Sequence, residues 1–215
     1  MAFRLLIADM DSTIIENECI DELADAVGVG ETVAGITERA MRGELDFEDA
    51  LRERVAMLAG LQESQLQDVF DKRIRLTPGA RDLTEGLHAI GARCILVSGG
   101  FTFFTGRVAE AAGFDGNHAN QLEFENGVLT GRVVEPILGA DAKVETMQRY
   151  MSDMGLTAAE VLAVGDGAND IPMLKAAGLG VAFCPKPVAA DAADAVVSER
   201  DLRLVLDAAE IPRPA

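Results

Sequence analysis

The sequence predicts an α/β fold, a doubly wound parallel sheet with helices on both faces. Three short and mainly apolar runs, at residues 3–8, 93–97 and 161–164, each end at polar or glycine-rich residues. A run that is apolar on both faces is typical of a strand buried in a parallel sheet. Helical patterns lie between these runs, and strands that alternate with helices along a chain favour this architecture.

The elements between and after these strands have recognisable limits. Helices are predicted over residues 78–90, 101–112 and 140–154, and a fourth strand over residues 179–183. Pro78 suits the first turn of a helix, and a glycine directly follows each predicted helix. The chain of 215 residues therefore has enough elements for one α/β domain with an insertion.

Residues 16–74 do not follow this alternation. They contain no strand-like run, and about four helical segments can be drawn through them. Leu51, Val55, Leu58 and Leu61 have the spacing of one apolar helix face. This pattern indicates a helical insertion of roughly 60 residues after the first strand.

A second departure lies at residues 121–134, where two alternating runs flank Asn126-Gly127. Asn-Gly between two such runs is a strong β-hairpin signal. The predicted division is a core domain with a flap and a cap: 1–15 and 75–215 for the core, about 119–136 for the hairpin flap, and 16–74 for the helical cap.

Composition excludes several classes of function. The chain has 19 Lys plus Arg against 36 Asp plus Glu, a net charge of -17, which argues against nucleic acid or an anionic membrane as a partner. The three cysteines are far apart without a CxxC pair, so reduced thiols are expected, not a disulfide framework or a zinc site. No apolar run approaches the roughly 18 residues of a membrane span, and no signal peptide is recognised. We expect a cytoplasmic protein.

Polar residues gather where the predicted strands end. Asp9 and Asp11 follow the first strand, Ser98 with two glycines follows the second, and Asp166 and Asp170 follow the third. Ligands of open α/β sheets bind at the carboxyl ends of the strands. Carboxylates that share one crevice repel one another, and a hard divalent cation relieves this repulsion. Oxygen ligands without a nearby His or Cys favour Mg²⁺ over zinc.

The other residues at this edge suit a phosphoryl group. Ser98 supplies a hydroxyl, the glycines after it let backbone N–H groups approach a phosphoryl oxygen, and Lys143 adds a positive charge. Asp9 is then a candidate nucleophile and Asp11 a candidate general acid and base. Each feature alone is common as ordinary structure, but their joint placement at strand ends and helix starts is hard to explain by structure only.

The same residues resemble the motifs of the haloacid dehalogenase superfamily of phosphohydrolases. Asp9-Met10-Asp11-Ser12-Thr13 resembles the first motif, Ser98-Gly99-Gly100 the second, Lys143 the third, and residues 165–170 the fourth. Within that superfamily, further segments of the chain resemble the phosphoserine phosphatase family: 16–24, 47–48, 51–55 and 97–102. The resemblance covers nearly the whole chain and implies a Rossmann-like core with a helical cap and a small flap.

The resemblance also implies roles for the motif residues. Asp9 would be the nucleophile and Asp11 the acid and base. Mg²⁺ would be held by the Asp9 carboxylate, the Asp11 backbone carbonyl and Asp166, with Asp170 in a supporting position. The residues implied to contact the phosphoryl group or the substrate are Ser98, Gly99, Lys143 and Asn169.

Two cap residues complete the implied site. Glu18 and Arg54 would read the ammonium and the carboxylate of an amino-acid substrate. A desolvated pocket for such a substrate needs one acidic and one basic contact, because leaving either charge unpaired is costly. Their assignment rests mostly on the resemblance.

The function expected from the resemblance is Mg²⁺-dependent hydrolysis of O-phospho-L-serine, the last step of serine biosynthesis, through an aspartyl-phosphate intermediate. Three alternatives stay open at this point: a phosphatase for phosphohomoserine or phosphothreonine, a receiver-like phospho-aspartate signalling module, and a binding protein without activity. Some relatives have an additional N-terminal regulatory domain, and feedback control through one is not expected here. Either a monomer or a homodimer is compatible with the sequence.

Overall fold

Seven strands form one sheet at the centre of the molecule. The computed structural model describes residues 3–41, 44–139 and 141–214. The strands are β1 (Leu5–Ala8), β2 (Arg93–Phe101), β3 (Gly116–Glu125), β4 (Val128–Val134), β5 (Val161–Gly165), β6 (Leu179–Phe183) and β7 (Ala195–Val197). Their order across the sheet is β4-β3-β2-β1-β5-β6-β7. Neighbouring strands are parallel except β3 and β4, which form an antiparallel pair.

Helices cover the sheet and fill the insertion after β1. They are α1 (Cys19–Ala26), α2 (Gly30–Met41), α3 (Phe47–Ala56), α4 (Glu63–Arg73), α5 (Ala80–Ala89), α6 (Thr102–Ala112), α7 (Ala142–Met154), α8 (Ile171–Ala176), α9 (Pro187–Ala190) and α10 (Arg203–Ala208). No helix among the described residues has both the length and the apolar character that crossing a membrane requires.

The sheet has an apolar core on each face because its side chains alternate. In β1, Leu5 and Ile7 point to the face covered by α7 and α8, whereas Leu6 and Ala8 point to the face covered by α5, α6 and α10. All four side chains are fully buried. Burial on both faces explains why the first strand lacks a polar alternation, and it confirms the doubly wound fold class.

The limits of several elements differ from the predicted ones. Strand β2 continues to Phe101, four residues beyond its predicted end, because the 98–100 segment stays extended. Helix α5 begins at Ala80, after Gly79 has adopted a left-handed φ of 79°. Strand β7 was not predicted, since its three residues are too short for a periodic signal. The predicted start of α7 at residue 140 lies outside the described residues.

The insertion and the hairpin contact each other. Four helices, α1 to α4, follow β1, and an antiparallel bridge between Ile15 and Leu76 joins the two ends of the insertion. The hairpin turns at Asn126 and Gly127, both with positive φ, as in the primed turns that close two-residue hairpins. Leu129 of β4 accepts a hydrogen bond from Gly60 and donates one to Leu61, so the hairpin is joined to the insertion by backbone bonds. The assignment of separate core and cap domains stays a prediction.

Candidate active site

The carboxyl ends of β1, β2 and β5 open into one pocket with about 640 Å³ of open space. The core and the helical insertion both line it. The charged and polar side chains are Asp9, Asp11, Glu18, Arg54, Ser98, Asp166, Asn169 and Lys186, and the apolar cover is Ile20, Phe47 and Leu51. The pocket therefore lies at the edge where the parallel-sheet rule places a ligand.

Asp9 is the first residue after β1 and is almost fully buried. Its Oδ1 accepts a hydrogen bond from the Met10 N–H at 2.8 Å and lies 2.7 Å from Lys143 Nζ. The second oxygen, Oδ2, takes part in neither contact. Burial and the nearby Asp170 charge raise the pKa of Asp9 well above its ordinary value, against the opposing effect of Lys143. Asp9 is thus held by one oxygen in an environment that disfavours an isolated negative charge.

Three buried carboxylates form a cluster, of which Asp9 and Asp166 line the pocket and Asp170 lies behind them. One oxygen from each of Asp9, Asp166 and Asp170 lies within 4.8 Å of the others. Asp170 Oδ2 accepts the backbone N–H groups of Asp166 and Gly167, at 3.0 and 2.9 Å. The pKa of Asp166 is raised, chiefly by burial. This set of hard oxygen donors fits a cation such as Mg²⁺, which would relieve the repulsion.

Lys143 lies behind this cluster and does not reach the pocket surface. Its side chain is 5% exposed, and its ammonium group pairs with both Asp9 and Asp170. Burial alone would lower the pKa of Lys143, but the two carboxylates outweigh it and raise the pKa. The two carboxylates thus favour the charged form of Lys143, which contacts Asp9 Oδ1.

Asp11 joins three parts of the site. Its Oδ1 accepts the N–H of Cys19, the first residue of α1, at 2.9 Å, and its Oδ2 accepts the Ser98 hydroxyl at 2.9 Å. The chain reverses at Ser12, whose φ is 56°. Ser12 lies in the tightly turned segment Met10–Ile14 that follows β1, and both Asp9 and Asp11 line the pocket.

The 98–100 segment lines the pocket next to Asp11. The Ser98 hydroxyl accepts the N–H of Gly100 at 2.8 Å while it donates to Asp11. A Cβ atom on Gly100 would lie 3.0 Å from both Asp11 Oδ2 and Ser98 Oγ, so close that these side chains would have to shift by a few tenths of an ångström. On the other side, a Cβ on Gly99 would lie 3.1 Å from the Phe47 ring of α3. Close approach from both sides explains the two glycines.

Glu18 and Arg54 are the charged residues that the insertion brings to the pocket. Glu18 accepts the Ser12 hydroxyl at 2.7 Å, and burial together with the Asp11 charge raises its pKa to about 7. Arg54 donates from Nε to the Ala50 carbonyl at 3.2 Å. Burial lowers the pKa of Arg54, and the charges of Asp21 and Glu18 oppose that effect. The insertion thus contributes one acidic and one basic group to the pocket that Asp9, Asp11 and Asp166 line.

The structure brings the predicted residues together. Those that line the pocket are Asp9, Asp11, Glu18, Arg54, Ser98, Gly99, Asp166 and Asn169, while Lys143 and Asp170 lie directly behind them.

Lys186 is a pocket residue that the sequence reasoning missed. Its Nζ lies 3.6 Å from Asp166 Oδ2, and its backbone N–H donates to the Asp166 carbonyl at 2.9 Å. Lys186 lies three residues after β6, the fourth predicted strand. The rule that ligands bind at the carboxyl ends of parallel strands could therefore have identified it.

Comparison with known proteins agrees with this geometry. A model of the haloacid dehalogenase-like hydrolase family matches residues 6–175. A phosphoserine phosphatase of Streptococcus thermophilus is 47% identical over 203 residues, 94% of this chain and 94% of that protein. A solved substrate-bound phosphoserine phosphatase complex superposes with a TM-score of 0.88 at 40% identity, over 97% of this chain and 99% of that one. A phospho-aspartyl intermediate analogue of phosphoserine phosphatase superposes with the same TM-score, identity and coverage.

Proposed function

Since the chain belongs to the haloacid dehalogenase-like hydrolase family, we propose that it is a Mg²⁺-dependent phosphatase that hydrolyses O-phospho-L-serine to L-serine and phosphate. One observation carries the proposal: aspartates of the core and an acidic and a basic side chain of the insertion line a single pocket. Similar proteins named phosphoserine phosphatase support the choice of substrate. In metabolism this reaction would complete the biosynthesis of serine.

The first half of the reaction transfers the phosphoryl group to Asp9. A carboxylate oxygen of Asp9 attacks phosphorus, and the bond between phosphorus and the serine oxygen breaks. Asp11 donates a proton to that leaving oxygen, so serine leaves as a neutral alcohol. The products of this half are the phospho-aspartate and L-serine. Support comes from the position of Asp9, with Oδ1 held by Lys143 and Met10 and Oδ2 outside both contacts.

The second half releases phosphate. Asp11, now deprotonated, takes a proton from a water molecule as its oxygen attacks phosphorus. The bond between phosphorus and the Asp9 oxygen breaks, which restores the Asp9 carboxylate and leaves inorganic phosphate. The two hydrogen bonds that Asp11 accepts, from the Cys19 N–H and the Ser98 hydroxyl, fix the position of its carboxyl group at the pocket.

The aspartate cluster is the proposed Mg²⁺ site. Asp9, Asp166 and the Asp11 backbone carbonyl would hold the ion, with Asp170 orienting the loop through its bonds to the Asp166 and Gly167 N–H groups. Bound Mg²⁺ would neutralise part of the charge that develops on the transferred phosphoryl group. Ser98, Gly99 and Asn169 are proposed to contact that group, and the charge of Lys143 is proposed to stabilise it from behind Asp9.

The insertion is proposed to select the substrate. Glu18 would accept hydrogen bonds from the serine ammonium, and Arg54 would pair with its carboxylate. Phe47, which lies against Gly99, would exclude water from the phosphoryl group. The match to a hydrolase family disfavours the receiver-like alternative. The large helical insertion also disfavours it, because a receiver module does not need a cover over its phosphorylation site.

Phosphate release from O-phospho-L-serine tests the proposal. We expect turnover by the wild-type protein with Mg²⁺, loss of turnover with EDTA, and no turnover by Asp9→Asn. Asp71→Asn, at an exposed position of α4, is the matched control and should behave as wild type. Substantial activity of a pure Asp9→Asn protein would show that Asp9 is not the nucleophile.

A further inference from the structure

Asn120 is a buried polar residue next to the pocket. It lies on β3, is 1% exposed, and does not line the pocket. Along the β2–β3 pair, Val97 is opposite His118, and the next aligned pair is Phe101 with Asn120. Strand β2 therefore advances four residues while β3 advances two, so the 98–100 segment is a bulge. A bulge interrupts the backbone ladder and leaves peptide groups that need other partners.

The Asn120 side chain supplies one of these partners. Its Nδ2 donates to the Gly99 carbonyl at 2.9 Å. The Gly99 carbonyl and the Gly100 N–H belong to one planar peptide unit. That N–H donates to Ser98 Oγ at 2.8 Å, and the Ser98 hydroxyl donates to Asp11 Oδ2 at 2.9 Å. A continuous chain of hydrogen bonds thus runs from Asn120 through one peptide and Ser98 to Asp11.

The other end of the same carboxamide is also fixed. Asn120 Oδ1 accepts the Leu138 N–H at 2.7 Å, and Nδ2 also lies 3.4 Å from the Leu138 carbonyl. Leu138 precedes α7, the helix that carries Lys143. Because Asn120 is anchored to this second segment, its amide group cannot rotate away from Gly99 without breaking a short bond.

We propose that Asn120 is a positioning residue that acts on Asp11 through the Gly99–Gly100 peptide and Ser98. It fixes the plane of that peptide, and the peptide N–H holds Ser98 Oγ so that its hydroxyl hydrogen points to Asp11. Hydrogen bonds in such a chain also strengthen one another. The inference rests on the proposed function, in which Asp11 protonates the leaving oxygen, and it assigns Asn120 an effect on that proton transfer.

Leaving-group dependence separates this role from a purely structural one. A p-nitrophenolate leaves without a proton, whereas the more basic phenolate of phenyl phosphate gains from general-acid assistance. We therefore measure kcat/KM for p-nitrophenyl phosphate and for phenyl phosphate with Mg²⁺. In Asn120→Ala we expect kcat/KM for phenyl phosphate to fall more than that for p-nitrophenyl phosphate. The ratio of the p-nitrophenyl value to the phenyl value should therefore increase roughly 10-fold over wild type, a part of the 10²–10⁴ that general acids contribute.

A second variant and matched controls keep the test decisive. Asn120→Asp keeps the oxygen that accepts the Leu138 N–H but lacks the amide that donates to Gly99, so it should show the same change in the ratio. It replaces Asn120→Ala in the test where that variant does not fold. Asn117 lies on the same strand and accepts the Thr105 hydroxyl of α6 at 2.8 Å. Asn117→Ala and Asn117→Asp should leave the ratio unchanged.

Failure of the role of Asn120 and failure of the proposed phosphatase activity give different outcomes. An unchanged ratio in both folded Asn120 variants would overturn the role of Asn120 while leaving the phosphatase intact. An equal change in the Asn117 variants would also overturn it, because the effect would then belong to the strand as a whole. No phosphate release from any ester by the wild-type protein would refute the proposed function itself, and the inference with it.

Discussion

Glu18→Gln is expected to stabilise the folded protein at neutral and higher pH. Burial and the Asp11 charge raise the pKa of Glu18 from 4.5 to about 7. Each pKa unit corresponds to about 1.4 kcal/mol, so the full penalty of an ionised Glu18 is about 3 kcal/mol. Glu18 keeps partial contact with water, and we take about 2 kcal/mol as the expected effect. Glutamine retains an oxygen that accepts the Ser12 hydroxyl.

The sign follows from the two pKa values. The folded protein binds the Glu18 proton more tightly than the unfolded chain, so wild type loses stability as pH rises from 4.5 to about 7. The penalty is absent below pH 4.5 and complete above pH 7 to 8. Glutamine does not titrate, so the difference in free energy of unfolding between variant and wild type should follow the same course.

Thermal unfolding with a chelator present, at pH 4.5 and at pH 8, measures this difference. A gain of about 2 kcal/mol corresponds to about 4–8 °C in Tm for a chain of this size. We expect that gain at pH 8 and nearly none at pH 4.5, with no gain at either pH for Glu110→Gln on the exposed side of α6. A Glu18→Gln protein equal to or less stable than wild type at pH 8 would refute the reasoning.

Three further predictions concern charges around the pocket. Arg54→Ala should lower kcat/KM for O-phospho-L-serine by about 100-fold, because it removes one desolvated charged contact, and kcat/KM for p-nitrophenyl phosphate by less than about threefold. Equal losses for the two substrates in initial-rate assays would show that Arg54 does not select the substrate. Lys186→Ala should lower kcat/KM for O-phospho-L-serine by roughly 3- to 10-fold at low salt and by less at high salt. The reason is that it removes an exposed positive charge beside Asp166 in a chain of net charge -17. A loss of kcat/KM that does not depend on salt would contradict this. Mg²⁺ should raise the Tm of wild type by preferential binding to the folded state, and Asp166→Asn should reduce that shift; the same shift in both proteins, measured by calorimetry, would place the ion elsewhere.

The part of the site that the sequence predicts is the part that backbone topology fixes. Asp9 and Asp166 each follow a buried strand, Ser98 lies in the last part of another, and parallel strands place their carboxyl ends at one edge. The positions along the chain were therefore enough to bring these residues together. The hairpin was equally local, since Asn126 and Gly127 form its turn by themselves.

The contacts that the sequence does not reveal depend on packing between distant segments. Arg54 was expected at the site only from the resemblance, and both it and Phe47 reach the pocket through the way α3 lies over the core, which no helical periodicity specifies. Asn120 reads as one residue of a strand, and its bond to Gly99 exists only because β2 bulges. Gly131 has a φ of 82°, and a Cβ there would lie 2.8 Å from Ala59 of the insertion, a restraint that becomes visible only once the hairpin is docked.

The substrate preference of the wild-type protein tests the central claim most directly. Initial rates of phosphate release with Mg²⁺ are compared for O-phospho-L-serine, phosphohomoserine, phosphothreonine and p-nitrophenyl phosphate. We expect the highest kcat/KM for O-phospho-L-serine; over the aryl ester, the advantage comes from the contacts of Glu18 and Arg54 with the ammonium and the carboxylate. A higher kcat/KM for any of the other three esters would contradict the proposed substrate, and no release from any of them would contradict the proposed chemistry.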